Sequence, residues 1–176
     1  MSRFSIENFT KRNQFTRMCI GEAVIELMSE KEFDKIRILD ITKKAGVSRV
    51  TFYKYYKSKE EIISDYLNEM VTGYLEENKG KISQNYPNYE NTVRALEYFD
   101  RYSKFFQGIK KAGLYSLLIN AVNEYMEDNV IPNYKIDPYE VYYYAGAILN
   151  VFYKWQERGK KETKEYIAGV IAEIKI

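Results

Sequence analysis

The sequence contains no histidine, only one cysteine and only three prolines among its 176 residues. Histidine is the side chain that most often acts as a general acid or base near neutral pH, so its absence removes the commonest catalytic group. The lone Cys19 has no evident base beside it, and the sequence shows no phosphate-binding loop or spaced cluster of metal ligands. We therefore expect a protein that is not an enzyme and that uses no cofactor and no metal.

Long apolar runs are missing as well. The apolar stretch at residues 114–122 is broken by polar residues long before the roughly 20 residues that a membrane span requires. No basic start leads into an apolar run of the kind that directs export, and a single cysteine cannot form an internal disulfide. These features lead us to expect a cytoplasmic protein without a membrane segment.

The charge is unevenly distributed along the chain. Residues 1–60 contain 13 lysines and arginines against 8 acidic residues, whereas residues 61–176 contain 14 against 17. Residues 41–59 hold six basic side chains and no acidic one. Such a run forms either an ordinary solvated face or a surface for nucleic acid, and charge alone leaves both interpretations open.

Apolar residues recur at spacings of three and four, as in Ile20, Ala23, Val24, Leu27 and Met28, and no segment alternates like a strand. The sequence therefore predicts an all-α fold of about nine helices. The predicted helices span residues 9–29, 38–45, 49–55, 58–78, 92–102, 104–109, 114–129, 138–158 and 161–174.

The second and third predicted helices have the pattern of a helix-turn-helix. Gly46 supplies the permissive backbone of a tight turn, and Ser48 stands where its hydroxyl can cap the next helix. Ser58 and Glu61 form a capping box that opens the fourth helix. A helix-turn-helix places its second helix in the major groove of DNA.

The second helix of this motif carries side chains suited to that task. Arg49 can donate two hydrogen bonds to guanine, and Val50 is small enough to allow close approach or to contact a thymine methyl group. Thr51, Tyr53 and Lys59 can bind phosphates and so fix the register on the duplex. Together with the acid-free run, these residues favour DNA binding over a merely solvated face.

The same region resembles a known protein family. The resemblance rests on Thr16-Arg17, Ile20, Ala23, Glu26-Leu27, Glu30-Lys31, Phe33-Asp34, Asp40-Ile41, Ala45-Gly46-Val47-Ser48, Thr51-Phe52-Tyr53 and Tyr55-Tyr56-Lys57-Ser58-Lys59-Glu60. Residues 15–63 are on this basis similar to the N-terminal domain of the TetR/AcrR transcriptional regulators. The resemblance implies a three-helix helix-turn-helix DNA-binding domain at residues 1–60, followed at residues 61–176 by a helical bundle that dimerises and senses a ligand.

The resemblance also implies roles for single residues. It implies base contacts from Arg49, Val50 and Tyr53, with Lys54 as a further candidate. It implies phosphate contacts from Ser48, Thr51, Tyr55 and Lys59. Phe52 and Tyr56 fall on positions that form the core in the family, so we expect these two rings to pack inside.

Two positions depart from the family pattern. Glu32 stands where the family commonly has glycine after the first helix, so the turn there is expected to differ. Arg37 stands where threonine or serine usually caps the second helix. Arg37 cannot supply that cap, but it adds a cation that we expect to contact a DNA phosphate.

Regulators of this kind need two reading heads about one DNA turn apart, roughly 34 to 36 Å, and a two-fold homodimer on a palindromic operator provides them. Apolar stripes on the last two predicted helices suit a four-helix interface, although they could instead close a monomeric core. The expected interface residues are Val141, Ala145, Ile148, Leu149, Phe152, Ile167, Val170, Ile171 and Ile174.

Tyrosine is abundant in the second half of a chain that contains 18 of them. The aromatic clusters predict either a ligand pocket or an aromatic core. The candidate ligand-binding residues are Phe99, Tyr102, Phe106, Tyr115, Leu118, Tyr142 and Phe152. The second half also loosely resembles the C-terminal domain of regulators of dihydroxyacetone-kinase operons, through Tyr98-Phe99, Phe105-Phe106, Tyr144-Ala145-Gly146-Ala147, Trp155 and Gly159.

The sequence thus predicts a sequence-specific transcriptional repressor that a small-molecule effector releases from its operator. The alternative is an adaptor, whose C-terminal domain binds a partner protein and can activate transcription. A cavity with convergent polar groups would favour the sensor, and a filled body with an exposed apolar patch would favour the adaptor.

Overall fold

The computed structural model describes residues 11–81, 88–134 and 136–174, and all regular elements in these segments are helices. Nine α-helices of seven or more residues, one single-turn helix and one 3-10 helix occur in the described segments, which confirms the predicted all-α fold. The α-helices are α1 Lys11–Glu30, α2 Ile38–Ala45, α3 Arg49–Tyr55, α4 Lys59–Glu77, α5 Tyr89–Arg101, α6 Ser103–Lys111, α7 Tyr115–Asn129, α8 Ile131–Tyr134, α9 Pro138–Glu157 and α10 Lys164–Glu173. The 3-10 helix, Phe33–Lys35, precedes α2.

Capping side chains set the helix starts that the apolar spacing alone placed wrongly. The predicted loop at residues 79–91 lies partly outside the described residues, but α5 begins at Tyr89 because the Asn88 carboxamide accepts the Asn91 amide at 2.8 Å. Likewise α10 begins at Lys164, three residues later than predicted, because the Thr163 hydroxyl accepts the Tyr166 amide at 3.1 Å. Each cap satisfies an amide that has no partner within its helix.

The chain divides into two compact units. The first unit comprises Met1–Gly73 with Gln107–Leu118, and the second comprises Tyr74–Phe106 with Ile119–Ile176. The functional boundary after residue 60, inferred from the sequence, stays a prediction.

In the first unit α1 packs on α2 and α2 packs on α3. The side chains of Ile20, Val24 and Ile41 are buried at this junction. A glycine allows α4 to approach α1: a Cβ added at Gly21 would lie 2.7 Å from a ring carbon of Tyr66. Any larger residue at Gly21 would have to displace that ring, so α1 and α4 are matched in shape at this point.

In the second unit α5 packs against both α9 and α10. Rings fill much of its core: the Phe106 centroid lies 5.1 Å from that of Phe99 and 5.1 Å from that of Phe152. The buried hydroxyls of Thr92 and Tyr144 satisfy each other at 3.0 Å. The residues of α9 expected at a dimer interface lie within this core and are buried by the chain itself: Val141, Ala145, Ile148, Leu149 and Phe152.

Candidate nucleic-acid interface

The turn between α2 and α3 has the predicted chemistry. Gly46 ends α2 in the left-handed conformation, with φ of +67°, which residues with a Cβ rarely adopt. The Val47 amide then donates to the Thr42 carbonyl at 3.0 Å. Ser48 caps α3, since its hydroxyl accepts the Thr51 amide at 3.0 Å. The motif therefore begins and ends its two helices where the sequence predicts.

Helix α3 separates an inner face from an outer face. Phe52 and Tyr56 are buried, which confirms that these two rings belong to the core. On the outer face Val50 is 82% exposed and Tyr53 is 51% exposed. Val50 and Tyr53 thus share the outer face with exposed cations. The outer residues line a shallow depression: Arg49, Val50, Thr51, Tyr53 and Lys54.

The cations of this region remain available to solvent. Arg49, Lys54 and Lys57 are exposed, and none of them forms an ion pair with an acid among the described residues. Lys43 is also exposed, on α2. Lys43 and Lys57 were not among the predicted contacts, although both lie in the acid-free run. A cation without an ion pair can approach a phosphate without breaking one. The Lys54 ammonium also lies 5.5 Å from the centroid of the Tyr55 ring.

Three of the predicted phosphate-binding side chains already have partners in the protein. The Thr51 and Ser48 hydroxyls lie 2.9 Å apart, and the Tyr55 hydroxyl donates to the Asn13 carboxamide at 2.9 Å. At least one of the Ser48 and Thr51 hydroxyls keeps a proton for a phosphate, but the Tyr55 hydroxyl has given its one proton to Asn13 and would have to leave it to donate to a phosphate. Their phosphate contacts stay predictions.

Lys59 has a structural role that the sequence did not indicate. Its ammonium donates to the Phe33 carbonyl at 2.6 Å and lies 4.5 Å from the centroid of the Phe33 ring. Lys59 thereby connects the start of α4 to the 3-10 helix before α2. A phosphate contact from Lys59 stays a prediction, and it would have to coexist with this bond.

An acidic residue on α4 joins the end of α3 to α1. The Arg17 guanidinium binds both carboxylate oxygens of Asp65, with Nε at 2.9 Å from Oδ2. The Tyr56 hydroxyl donates to the same carboxylate. Burial raises the pKa of that hydroxyl, so it keeps the proton that the bond requires. Sequence reasoning missed Asp65 because its partners lie 48 and 9 residues away, beyond the reach of a helical pattern.

The two departures from the family pattern have different outcomes. Glu32 adopts φ of −61° and ψ of 137°, a conformation open to any residue, so the turn does not require glycine. Arg37 occupies the N-cap of α2 without a side-chain cap bond. Instead the Asp40 carboxylate accepts the Arg37 amide at 3.1 Å. The Asp40 side chain thus satisfies the Arg37 amide, which has no partner within the helix.

The residues predicted to bind a ligand are packed or partnered. Phe99, Phe106 and Phe152 stack on one another in the second unit, and the Tyr142 hydroxyl donates to Glu127 at 2.7 Å. Tyr102 packs on Tyr98 at 5.0 Å. Tyr115 and Leu118 belong to the first unit, where Leu118 is buried and Tyr115 is partly exposed. Their role in ligand binding stays a prediction.

No helix of the described segments is long and apolar enough to cross a membrane. Within the same segments no three histidine, cysteine or acidic residues are grouped closely enough to hold a metal ion.

Comparison with known proteins gives a family match within the first unit and several similar regulators. Residues 20–66 match the family described as bacterial regulatory proteins, tetR family. The uncharacterized HTH-type transcriptional regulator YvdT of Bacillus subtilis is 43% identical over 63 residues, which cover 36% of this chain and 32% of YvdT. The HTH-type dhaKLM operon transcriptional activator DhaS of Lactococcus lactis is 27% identical over 100 residues, which cover 56% of this chain and 51% of DhaS. The aligned part of the chain thus spans between a third and a half of these relatives.

Two solved structures share the fold. Lin0861 from Listeria innocua superposes with a TM-score of 0.79 at 21% identity, over 95% of this chain and 92% of that one. The dihydroxyacetone kinase operon activator DhaS superposes with a TM-score of 0.60 at 21% identity, over 89% of this chain and 91% of that one. At these identities the superpositions establish the arrangement of helices and not a shared ligand.

Proposed function

We propose that the chain is a transcriptional regulator with a TetR-type DNA-binding domain and that it acts as a homodimeric repressor of a palindromic operator. The match of residues 20–66 to the tetR family supports the DNA-binding domain. The observation that carries the proposal is the outer face of α3, where exposed cations, hydroxyls and one small apolar side chain share a single helix. In this role the protein acts in the cytoplasm, and a small molecule bound within residues 61–176 releases it from DNA. We assign no catalytic step to it.

The outer face of α3 divides into base-reading and phosphate-binding groups. Arg49 is unpaired and exposed at the first turn, where it can donate two hydrogen bonds to a guanine. Val50 projects beside it and can contact a thymine methyl group. Tyr53 and Lys54 continue the face by one turn. The phosphate contacts come from Ser48, Thr51, Tyr55 and Lys59, whereas the contact predicted for Arg37 competes with its ion pair to Asp40.

The dimer contact falls on exposed faces of the last two long helices. In α9 the exposed Tyr139 and Tyr143 share a face with Gly146, and in α10 the exposed Val170 follows Gly169. Outside the local helix backbone, a Cβ at either glycine would meet no atom of the described residues within 4 Å. Glycine destabilises a helix interior by about 1 kcal/mol relative to alanine, so a glycine that no neighbour requires suggests close approach by another molecule. A second copy of the chain is the partner that a palindromic operator demands.

One observation favours the adaptor as a second candidate. The ring centroids of Phe99, Phe106 and Phe152 lie 5.1 to 5.6 Å apart, which is packing distance for an aromatic core. A flat effector would have to displace one of these rings. An adaptor needs no such space, because its partner protein binds outside.

Selection of bound fragments from a pool of random duplexes tests the proposal directly. We expect a palindrome whose half-sites are centred about 10 base pairs or a multiple apart. A matched pool selected by the Arg49→Ala variant should give a degenerate motif at the guanine. Enrichment of no sequence, or of a single asymmetric half-site, would contradict a dimeric sequence reader.

Whether the protein represses or activates, and whether it responds to a small molecule or to a partner protein, is tested in separate experiments. A reporter with the selected site overlapping the promoter should be silenced, and silencing relieved by a small molecule supports the sensor. Activation from an upstream site that depends on a second protein supports the adaptor. If an effector acts, its binding should lower the affinity for DNA by about 5- to 150-fold, which corresponds to a coupling free energy of about 1 to 3 kcal/mol.

A further inference from the structure

An acidic side chain lies at the edge of the DNA-binding motif, where a phosphate-binding surface would be expected to exclude it. Asp40, in the first turn of α2, binds three groups at once. Its Oδ2 accepts the Lys31 ammonium at 2.7 Å and the Arg37 amide at 3.1 Å. Its Oδ1 accepts the Arg37 guanidinium at 3.2 Å. Lys31 follows α1 directly, so the Asp40 carboxylate connects the end of α1 to Arg37 at the N-cap of α2.

The side chains of Asp40 and Arg37 differ in exposure. The side chain of Asp40 is only 19% exposed, and that of Arg37 is 75% exposed. The carboxylate is therefore fixed beneath a guanidinium that projects into solvent. The hydrogen bonds from Arg37 and Lys31 hold the pKa of Asp40 well below its usual range, so the carboxylate stays ionised at all physiological pH values.

This geometry gives Arg37 a competing partner. A guanidinium that already faces a carboxylate gains less from a phosphate, because the bound cation must share or leave its anion. By contrast Arg49 and Lys54 form no ion pair among the described residues, so they can contact DNA without such a loss.

We propose that Asp40 limits the affinity of the motif for duplex DNA of any sequence by holding Arg37 away from the phosphates. The inference rests on the proposed DNA-binding function and adds to it a residue that opposes binding. Because a phosphate contact carries no sequence information, the effect of Asp40 should be the same on operator and random duplex.

The test compares Asp40→Asn with a matched control. Asparagine keeps a side-chain carbonyl that can accept the Arg37 amide, so the start of α2 is preserved. Glu32→Gln makes the same change of net charge at another exposed pair spaced by three residues, with Lys35 at 2.8 Å. Binding of the full chain to a random-sequence duplex is measured by fluorescence anisotropy between 50 and 200 mM salt.

Asp40→Asn should bind random duplex about 3- to 30-fold more tightly for a dimer, because each of two heads regains one cation. The slope of log affinity against log salt should steepen by up to about 2, since two phosphate contacts are added. Glu32→Gln should change affinity less than about 2-fold. The gain should vanish in the double variant Arg37→Met with Asp40→Asn. An equal gain in Glu32→Gln, or a gain that survives removal of Arg37, overturns the proposal.

A second measurement does not depend on the folding of an Asp40 variant. Arg37→Met in the otherwise unchanged protein should reduce affinity for random duplex less than about 2-fold, because Arg37 is withheld. Lys54→Met should reduce it several-fold. Equal losses in the two variants would show that Arg37 is free to bind phosphate and so overturn the role of Asp40. Failure of the unchanged protein to bind any duplex would instead reject the proposed function.

Discussion

The hydroxyl of Tyr56 donates a hydrogen bond to the carboxylate of Asp65, and this carboxylate also binds the guanidinium of Arg17. Tyr56 is the residue that caps the C-terminal end of α3, and Asp65 lies in α4. One carboxylate therefore fixes the far end of the DNA-facing helix against both α1 and α4. The orientation of α3 depends on this connection as well as on the burial of Phe52.

Tyr56→Phe should reduce the free energy of unfolding by about 1 to 2 kcal/mol, because it removes one hydrogen bond to a charged acceptor and preserves the ring packing. Urea denaturation measures the change. Tyr53→Phe is the matched control, since Tyr53 is exposed on the same helix. Its stability should be unchanged within about 0.5 kcal/mol. Equal losses in the two variants would show that the bond to Asp65 contributes nothing.

Lys59→Met should also destabilise the protein, by about 1 to 2 kcal/mol, because the Phe33 carbonyl loses its charged donor. The melting temperature should fall by roughly 2 to 6 °C for a chain of this size. Lys57→Met removes the same charge from an exposed neighbour and should leave the melting temperature unchanged. If both variants melt like the unchanged protein, the bond from Lys59 to the Phe33 carbonyl does not stabilise the fold.

Arg49→Ala should weaken binding to the selected operator by about 1 to 3 kcal/mol per half-site and relax the sequence preference at one position. Competition between the operator and its single-base variants measures both effects. Thr51→Val is the comparison, because a lost phosphate contact should weaken the operator and random duplex alike. A proportional loss on both duplexes for Arg49→Ala would remove its base-reading role.

Gly146→Leu should shift the protein toward monomers without destabilising the chain. Leucine raises helix propensity by roughly 0.8 kcal/mol over glycine, and outside the local helix backbone no atom of the described residues lies within 4 Å of the added Cβ. Sedimentation equilibrium measures the association constant. Lys104→Leu adds an equally large apolar group to an exposed site on α6 and should leave association intact. An unchanged dimer in Gly146→Leu would move the interface away from this face of α9.

The contribution of Asp40 to stability should disappear in acid. Its pKa is lowered in the folded protein from an ordinary value of 3.8, so the folded state favours the ionised form. The stabilisation is therefore complete above about pH 4 and is lost as the pH falls through the folded pKa. The difference in melting temperature between the unchanged protein and Asp40→Asn should be constant from pH 7 to 5 and shrink below pH 4. A difference that persists unchanged at pH 2 would contradict the ion pair.

Local chemistry explains what the sequence could predict. The bounds of α2 and α3 follow from residues that act on their own backbone, namely the left-handed Gly46 and the capping Ser48. Each of these two inferences needs information from at most one helical turn. The burial of Phe52 and Tyr56 is instead what the family resemblance implies.

Contacts between distant segments explain what the sequence could not predict. The bond from Lys59 to the Phe33 carbonyl crosses 26 residues, and the pair of Arg17 and Asp65 crosses 48. A periodic apolar stripe also cannot tell whether it closes the chain's own core or meets a second chain. Val141 and Leu149 are buried within the chain, whereas Val170 is exposed.

The salt dependence of binding to the selected operator tests the central claim most directly. If each of two heads places the outer face of α3 in a major groove with about four phosphate contacts, the affinity should fall on the order of 10³- to 10⁵-fold between 50 and 200 mM salt. The same titration with random duplex should be nearly as steep but start from a weaker affinity. Binding that ignores salt, or that is equal on operator and random duplex, would contradict a dimeric major-groove reader.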